Sequence, residues 1–203
     1  MKLTVIKTIS NLFHPLLSMP WAAVMILLFS PYCLLPMWSK FLLLSEVLLF
    51  SLILPCLFIY LLSRFGVVKN GVALRDRSDR VVPLFVQFLL CIAQAMTLQN
   101  QGLPYWALFC FWGGALLTFV FFVVTFWWKI SGHSAGNAAL AVTSLILFYH
   151  FPNIVPSWLL IGTIVITGGV GSIRVYLERH TMAQVAVGAL AGAACMLLAY
   201  ALV

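Results

Sequence analysis

Two long apolar runs near the end of the chain are separated by the polar stretch GSIRVYLERHTMAQ, residues 171–184. This stretch holds two arginines, a glutamate, a histidine and a glutamine amide. Lipid tails offer such side chains no hydrogen bonds, so a polar cluster between membrane-length apolar runs indicates a functional site. Two other stretches have the same character, RDRSDR at residues 75–80 and KISGHS at residues 129–134. We expect the three polar stretches to meet at one membrane face.

The composition predicts an integral membrane protein. Of its 203 residues, 64% are hydrophobic and only 7% are charged, which is far from the mixture found in soluble domains. Strands of a membrane barrel alternate polar and apolar residues, and this chain does not, so we expect helices. The fold class is therefore all-α, a polytopic transmembrane helical bundle forming one membrane-embedded domain over residues 1–203.

The apolar runs predict six to seven membrane spans. We expect an interfacial helix over about residues 1–13 and then spans near residues 16–37, 41–63, 81–99, 105–128, 134–150, 157–173 and 182–203. Glu46 is the one carboxylate inside a predicted span, where it should be protonated or paired. Gly188 and Gly192 predict close helix packing in the last span.

The distribution of charge and the spacing of the cysteines indicate which kinds of partner and site to expect. The net charge of +7 lies in short loops between spans, which favours lipid phosphates and the bilayer surface over nucleic acid. Two predicted spans separate each polar stretch from the next, so all three should emerge on the same side. The five cysteines are scattered through apolar runs without CxxC spacing, and we predict neither a disulfide framework nor a metal site.

The polar stretches contain groups suited to phosphate chemistry. His180 and Gln184 are four residues apart, so they are neighbours on one face if a helix begins near His180. An oxygen of Gln184 would accept from Nδ1–H of His180 and leave Nε2 unprotonated, as a nucleophile requires. Arg174 reaches the same site only if the chain breaks near residues 176–179. Ser131 or Ser134 would cap a helix whose N–H groups face an anion.

Three motifs carry a family resemblance. Ile130-Ser131-Gly132-His133 resembles P-S-G-H, and Arg174, five residues, His180, three residues and Gln184 resemble S-R-x5-H-x3-D with an amide for the final carboxylate. Arg80 with Pro83 resembles the R-P that ends a third motif, K-x6-R-P, with two residues inserted. In this order the motifs resemble those of the type 2 phosphatidic acid phosphatase superfamily, PAP2, over about residues 64–190.

The resemblance implies a metal-independent phosphatase that hydrolyses a lipid-linked phosphate or diphosphate, such as a phospholipid or isoprenoid phosphate, without a cofactor. It makes His180 the nucleophile that forms a phosphohistidine, Gln184 its orienting group, and His133 the proton donor. The inner membrane of a bacterium is the expected location, and the oligomeric state is left open. The predicted phosphate ligands are Arg174, Arg80, Arg77, Arg75, Ser131 and Gly132.

Several alternatives stay open. Glu178 is a second source of the missing carboxylate, and a non-catalytic lipid-phosphate binder or carrier would keep the arginines. A b-type haem carrier would use histidines at matching depth, and absence of Soret absorbance would exclude it. His14 and His150 are predicted to be polar interfacial residues. The resemblance favours a site facing away from the cytoplasm, whereas the basic residues outside the motifs favour the cytoplasmic side.

Overall fold

The computed structural model describes residues 2–66 and 78–203. The described part of the chain is α-helical and has no strands, which confirms the predicted fold class. Short 3-10 turns lie at Pro15–Leu17 and Pro31–Leu34, and a π-helical segment at Leu49–Ile53 joins α3 to α4. The helices are α1 Lys2–Leu12, α2 Ser18–Leu28, α3 Met37–Leu48, α4 Leu54–Arg64, α5 Ser78–Asn100, α6 Tyr105–Thr125, α7 Gly132–His150, α8 Ser157–Tyr176 and α9 Met182–Leu202.

Within the described residues, five helical segments are long and apolar enough to cross a membrane. A sixth is possible if α1 and the helical segment Pro15–Leu28, which meet at a bend of 41°, act as one broken span. The five segments are Met37–Arg64, Asp79–Asn100, Tyr105–Thr125, Ser157–Tyr176 and Met182–Leu202.

The span predicted near residues 16–37 is wrong in its extent. The α2 helix ends at Leu28, and Pro31 begins a separate 3-10 turn. Eleven residues of α-helix reach about 16 Å, which is short of the roughly 30 Å hydrocarbon layer. The cause is local, because proline cannot donate the backbone hydrogen bond that would carry the helix onward.

The α7 helix is the central element of the bundle. Its first half is rich in small and polar residues, among them Gly132, Ser134, Gly136 and Asn137, so it is less apolar than its neighbours. It packs against α8 and α9, and most of its side chains are buried. Such a helix can hold polar groups at membrane depth because protein surrounds it on most sides.

Close approach of α9 places the start of α7 beside the start of α9. A Cβ at Gly188 would lie 2.6 Å from the carbonyl oxygen of Ser131, and one at Gly192 would collide with the carbonyl of Ala135. The backbone N–H of Ser131 donates to the carbonyl of Gln184 over 3.1 Å. The small-residue packing predicted for the last span is therefore observed, and it brings two of the polar stretches together.

A chain reversal between α8 and α9 occurs where the sequence predicted it. The α8 helix ends at Tyr176, and Glu178 takes a left-handed backbone conformation with φ of 54°. The N–H of Arg179 then donates back to the carbonyl of Arg174 over 3.1 Å, which closes the helix end. This turn allows Arg174 and His180, six residues apart, to face one site.

Candidate active site

A cavity of about 980 Å³ opens where the starts of α5 and α7, the α8–α9 turn and the segment after α1 meet. The cavity brings Arg80 of the first polar stretch together with residues of the other two stretches. Arg75 and Arg77, also predicted as phosphate ligands, lie outside the described residues. The acidic side chain and the basic side chains on the described cavity wall are His14, Arg80, Lys129, His133, Arg174, Glu178, Arg179 and His180.

The His180 imidazole is oriented by Gln184. Its Nδ1 lies 3.0 Å from Gln184 Oε1, and the same oxygen accepts the backbone N–H of Thr181 over 3.3 Å. A backbone N–H only donates, so the atom facing it is the amide oxygen. His180 Nδ1 must then carry the proton that it shares with this oxygen, which leaves Nε2 as an unprotonated nitrogen.

The backbone conformation next to His180 and Gln184 is stabilised by a capping box at the start of α9. Thr181 is the N-cap, and its hydroxyl accepts the backbone N–H of Gln184 over 3.3 Å. Gln184 returns a side-chain hydrogen bond to Thr181, so the two residues satisfy each other's backbone donors. Gln184 therefore has two tasks, because the oxygen that caps the helix also orients His180.

The electrostatics keep His180 neutral. Burial lowers the pKa of His180 to about 4, even though the hydrogen bond to Gln184 favours the protonated ring. The positive charges of Lys129, Arg174 and Arg80 contribute to this lowered pKa. At neutral pH the ring is uncharged, which is the state that a nucleophilic nitrogen needs.

Arg174 has unused hydrogen-bonding capacity at the cavity. Its Nη1 donates to the hydroxyl of Ser10 over 3.2 Å, and Ser10 itself is buried. Its Nε is buried without a hydrogen-bond partner in the part of the chain that the structure describes. A half-buried guanidinium that, among the described residues, donates only to a neutral hydroxyl favours an anion, because anionic oxygens match its planar set of donors.

The start of α7 places His133 on the cavity wall and leaves Ser131 behind it. The Ser131 hydroxyl accepts the N–H of Ser134 over 3.4 Å and the Ser134 hydroxyl over 3.0 Å, and the side chain is fully buried. Ser131 thus acts as the N-cap, while Gly132 and His133 line the cavity. Among the predicted phosphate ligands, the structure brings Gly132 to the cavity and uses Ser131 to shape the helix start.

Two residues of the site come from the N-terminal segment, where the sequence predicted only an interfacial helix. Ser10 contacts Arg174, and the ring of His14 lies 5.1 Å from that of His133, edge to face. The sequence holds a local signal for His14, because Pro15 follows it and a proline there ends the first helix and turns the chain. Nothing local indicates that this turn packs against α7.

Residues 119–203 match the family model for the PAP2 superfamily. These residues, fewer than half of the chain, are similar to the PAP2 superfamily. The PAP2 region includes the end of α6 and all of α7, α8 and α9, so it contains His133, Arg174, His180 and Gln184. Arg80 and the N-terminal segment lie outside it. No curated protein and no solved structure matches the chain.

The match confirms the resemblance drawn from the motifs. Together with the apolar helices, it supports an integral membrane protein with a phosphatase-type function on lipid phosphates in general.

Proposed function

We propose that this protein is an integral membrane phosphatase that hydrolyses a lipid-linked phosphate or diphosphate through a phosphohistidine on His180. One observation carries the proposal: Arg174, with a buried donor that no described group accepts, and His180, with Nε2 unprotonated, line the same cavity. A phosphate there would meet a cationic ligand and a nucleophile together.

In the first step, His180 Nε2 attacks phosphorus in line with the bond to the lipid oxygen. A nitrogen–phosphorus bond forms, the phosphorus–oxygen bond to the lipid breaks, and His133, which takes up a proton when the phosphate anion binds beside it, donates that proton to the departing oxygen. Arg174 and Arg80, with Arg75 or Arg77 of the first polar stretch, stabilise the charge on the phosphoryl oxygens. The lipid alcohol, or the lipid monophosphate from a diphosphate, then leaves.

In the second step, water attacks the phosphohistidine. His133, now neutral, accepts a proton from that water, and the nitrogen–phosphorus bond breaks to release inorganic phosphate and restore His180. Backbone N–H groups at the start of α7 assist, because a helix N-terminus attracts anions and Gly132 allows close approach.

The interior of the cavity suits a lipid-linked substrate. Beyond the cationic end, its wall is formed largely by apolar side chains between the helices, including Leu84, Leu117, Phe121, Leu140 and Met196. An alkyl or isoprenoid chain placed there would be removed from water while its phosphate stays at the charged end.

Gln184 favours a second candidate, a non-catalytic lipid-phosphate binder in the same fold. The amide orients His180 but cannot offset the positive charge that the ring gains when it bonds to phosphorus. Glu178 also lies on the cavity wall and is the candidate for that charge in an active enzyme. The two functions differ in turnover and share anion binding.

The test is phosphate release by the purified protein in detergent from a panel of lipid monophosphates and diphosphates. We expect release by the wild type and none by His180→Ala, with an acid-labile phosphoryl group on His180 of the wild type detected by mass spectrometry. Equal release by both proteins would remove His180 from the mechanism. Binding of lipid phosphate by the wild type without release would favour the binder.

We also propose a bacterial inner-membrane location with the site on the outer face. Reporter fusions that place the α8–α9 turn on the cytoplasmic side would contradict this orientation.

A further inference from the structure

The turn that follows α1 is packed onto the start of α7. Pro15 lies 3.5 Å from the position of a Cβ at Gly132, and Ser18 lies 3.3 Å from a Cβ at Gly136. The two glycines therefore make room for this turn, which we call the N-terminal turn, residues 14–18. A hydrogen bond adds to the packing, since Asn137 Nδ2 donates to the carbonyl of Phe13 over 3.3 Å. Several contacts thus fix the position of the N-terminal turn beside the site.

The two ring nitrogens of His14 have different surroundings. Nδ1 accepts the backbone N–H of Leu16 over 3.3 Å and caps the 3-10 turn. Because an accepting nitrogen carries no proton, the proton of the neutral ring lies on Nε2, at the other edge. No group in residues 2–66 and 78–203 accepts a hydrogen bond from Nε2.

The position of His14 gives this unused donor a ligand to meet. His14 lines the cavity together with Arg174 and His180, and its ring contacts that of His133. In the proposed reaction His133 lies next to the departing oxygen, so a neighbouring donor faces the phosphate from the same side. Ser10, one turn earlier in the chain, already contacts the predicted phosphate ligand Arg174.

We propose that His14 is a substrate-binding residue whose Nε2–H donates a hydrogen bond to an oxygen of the substrate phosphate. The inference rests on the proposed function and adds a ligand from outside the PAP2 region. The N-terminal turn thereby completes a site that α7, α8 and α9 build in part.

Two substitutions separate this role from the capping role. In His14→Asn, the amide oxygen takes the place of Nδ1 and keeps the cap on Leu16, but the Nε2 donor is lost. In His14→Gln, the amide nitrogen reaches the place of Nε2 and keeps a donor, while the cap is lost. His150→Asn is the control for loss of a histidine outside the cavity.

We expect His14→Asn to lower kcat/KM for a lipid phosphate by about 10- to 100-fold, the effect of losing a hydrogen bond to a charged group. His14→Gln should stay within about threefold of the wild type, as His150→Asn should. A larger loss in His14→Gln, or equal values in the two His14 variants, would overturn the proposal.

Orthovanadate, a phosphate analogue, supplies a readout that does not need turnover. Its dissociation constant, measured from the thermal stability of each full-length protein in detergent, should rise in His14→Asn and remain near the wild-type value in His14→Gln. If the wild type releases no phosphate but shows this vanadate pattern, the proposed hydrolysis fails and His14 remains an anion ligand. A wild type that hydrolyses lipid phosphate while vanadate binds all three proteins equally would overturn the role of His14 alone.

Discussion

The two ends of α7 each carry a histidine, and their surroundings differ. His150, at the last position of the helix, has Nε2 2.8 Å from the hydroxyl of Tyr200 and lies among the rings of Tyr105, Tyr149 and Phe151. His133, near the first position, lies on a cavity wall with the cation Arg174 and the histidines His14 and His180. One helix thus holds a histidine in an aromatic cluster at one end and a histidine in a cationic cavity at the other.

The same contrast holds for the charged groups of the two ends. Glu46 belongs to the end with His150, where Thr97 donates to one carboxylate oxygen and Gln101 to the other, each over 2.8 Å. Glu46 was predicted to be protonated or paired, and in the structure both of its carboxylate oxygens accept hydrogen bonds from neutral side chains. Arg174, at the cavity end, keeps a buried Nε with no described partner. Polar groups that the protein satisfies internally hold helices together, whereas groups with unused capacity indicate a ligand.

The largest expected difference between the ends of α7 comes from removing each histidine. His133→Ala should lower kcat for lipid phosphate by about 10²- to 10⁴-fold, the usual contribution of a general acid–base group. His150→Ala should keep its turnover but lose roughly 1 kcal/mol of stability with the hydrogen bond to Tyr200. Phosphate release and thermal unfolding of both variants test this, and similar losses of turnover would erase the contrast.

Replacing arginines tests whether the cationic end binds phosphate through a specific guanidinium. Arg174→Gln should lower kcat/KM by about 10²- to 10³-fold, the cost of removing a donor that stabilises transition-state charge. Arg174→Lys should retain more of the wild-type kcat/KM than Arg174→Gln but not all of it, because an ammonium keeps the charge without the planar set of donors. The exposed Arg64, at the end of α4 and away from the cavity, gives the control Arg64→Gln, which should behave as the wild type. A matching loss in Arg64→Gln would point to net charge alone.

Close helix approach at the cavity end can be tested with a pair of glycines. Gly188→Ala places a methyl group 2.6 Å from the Ser131 carbonyl and should destabilise the protein by about 1–3 kcal/mol. Gly168→Ala, on α8, meets nothing within 4 Å and should be neutral or stabilising by up to about 1 kcal/mol. Thermal unfolding midpoints in detergent compare the two, and an unchanged Gly188→Ala midpoint would contradict the packing.

The smallest expected change is a gain of function at Gln184. Glu is isosteric with Gln and keeps the capping box with Thr181, so Gln184→Glu adds charge with little change in shape. A carboxylate beside Nδ1–H favours the charged ring and should raise the pKa of His180 above its value of about 4. It should also raise kcat about tenfold, which corresponds to about 1.4 kcal/mol of transition-state stabilisation, because the carboxylate offsets the positive charge that the ring gains when it bonds to phosphorus.

The pH profile gives the sign of this effect. A protonated His180 cannot attack phosphorus, so kcat/KM falls on the acid side as pH drops through the His180 pKa. The acid limb of Gln184→Glu should therefore lie at higher pH than that of the wild type on the same substrate, whose own ionisation affects both profiles equally. A limb that moves to lower pH, or does not move, would show that the carboxylate does not act on His180.

Local patterns explain why much of the cavity end was predictable. The pairing of His180 with Gln184 and the chain break before His180 were predicted from residue spacing. His180 lies before the N-cap Thr181, so the capping box, and not a shared helix face, aligns the two side chains. The N-terminal segment was harder, because its contacts with Arg174 and His133 join residues more than one hundred positions apart in sequence. Helical periodicity carries no information about such a pairing.

The sequence by itself determined a helical membrane bundle, the three polar stretches and the order of their motifs, because apolar length, proline positions and residue spacing act over a few turns of chain. Only the tertiary structure decided that Ser131 lies behind the cavity wall and that Ser10 and His14 join the site. These outcomes depend on how helices distant in sequence pack, where small residues such as Gly132, Gly136 and Gly188 allow backbones to approach and so select the side chains that meet.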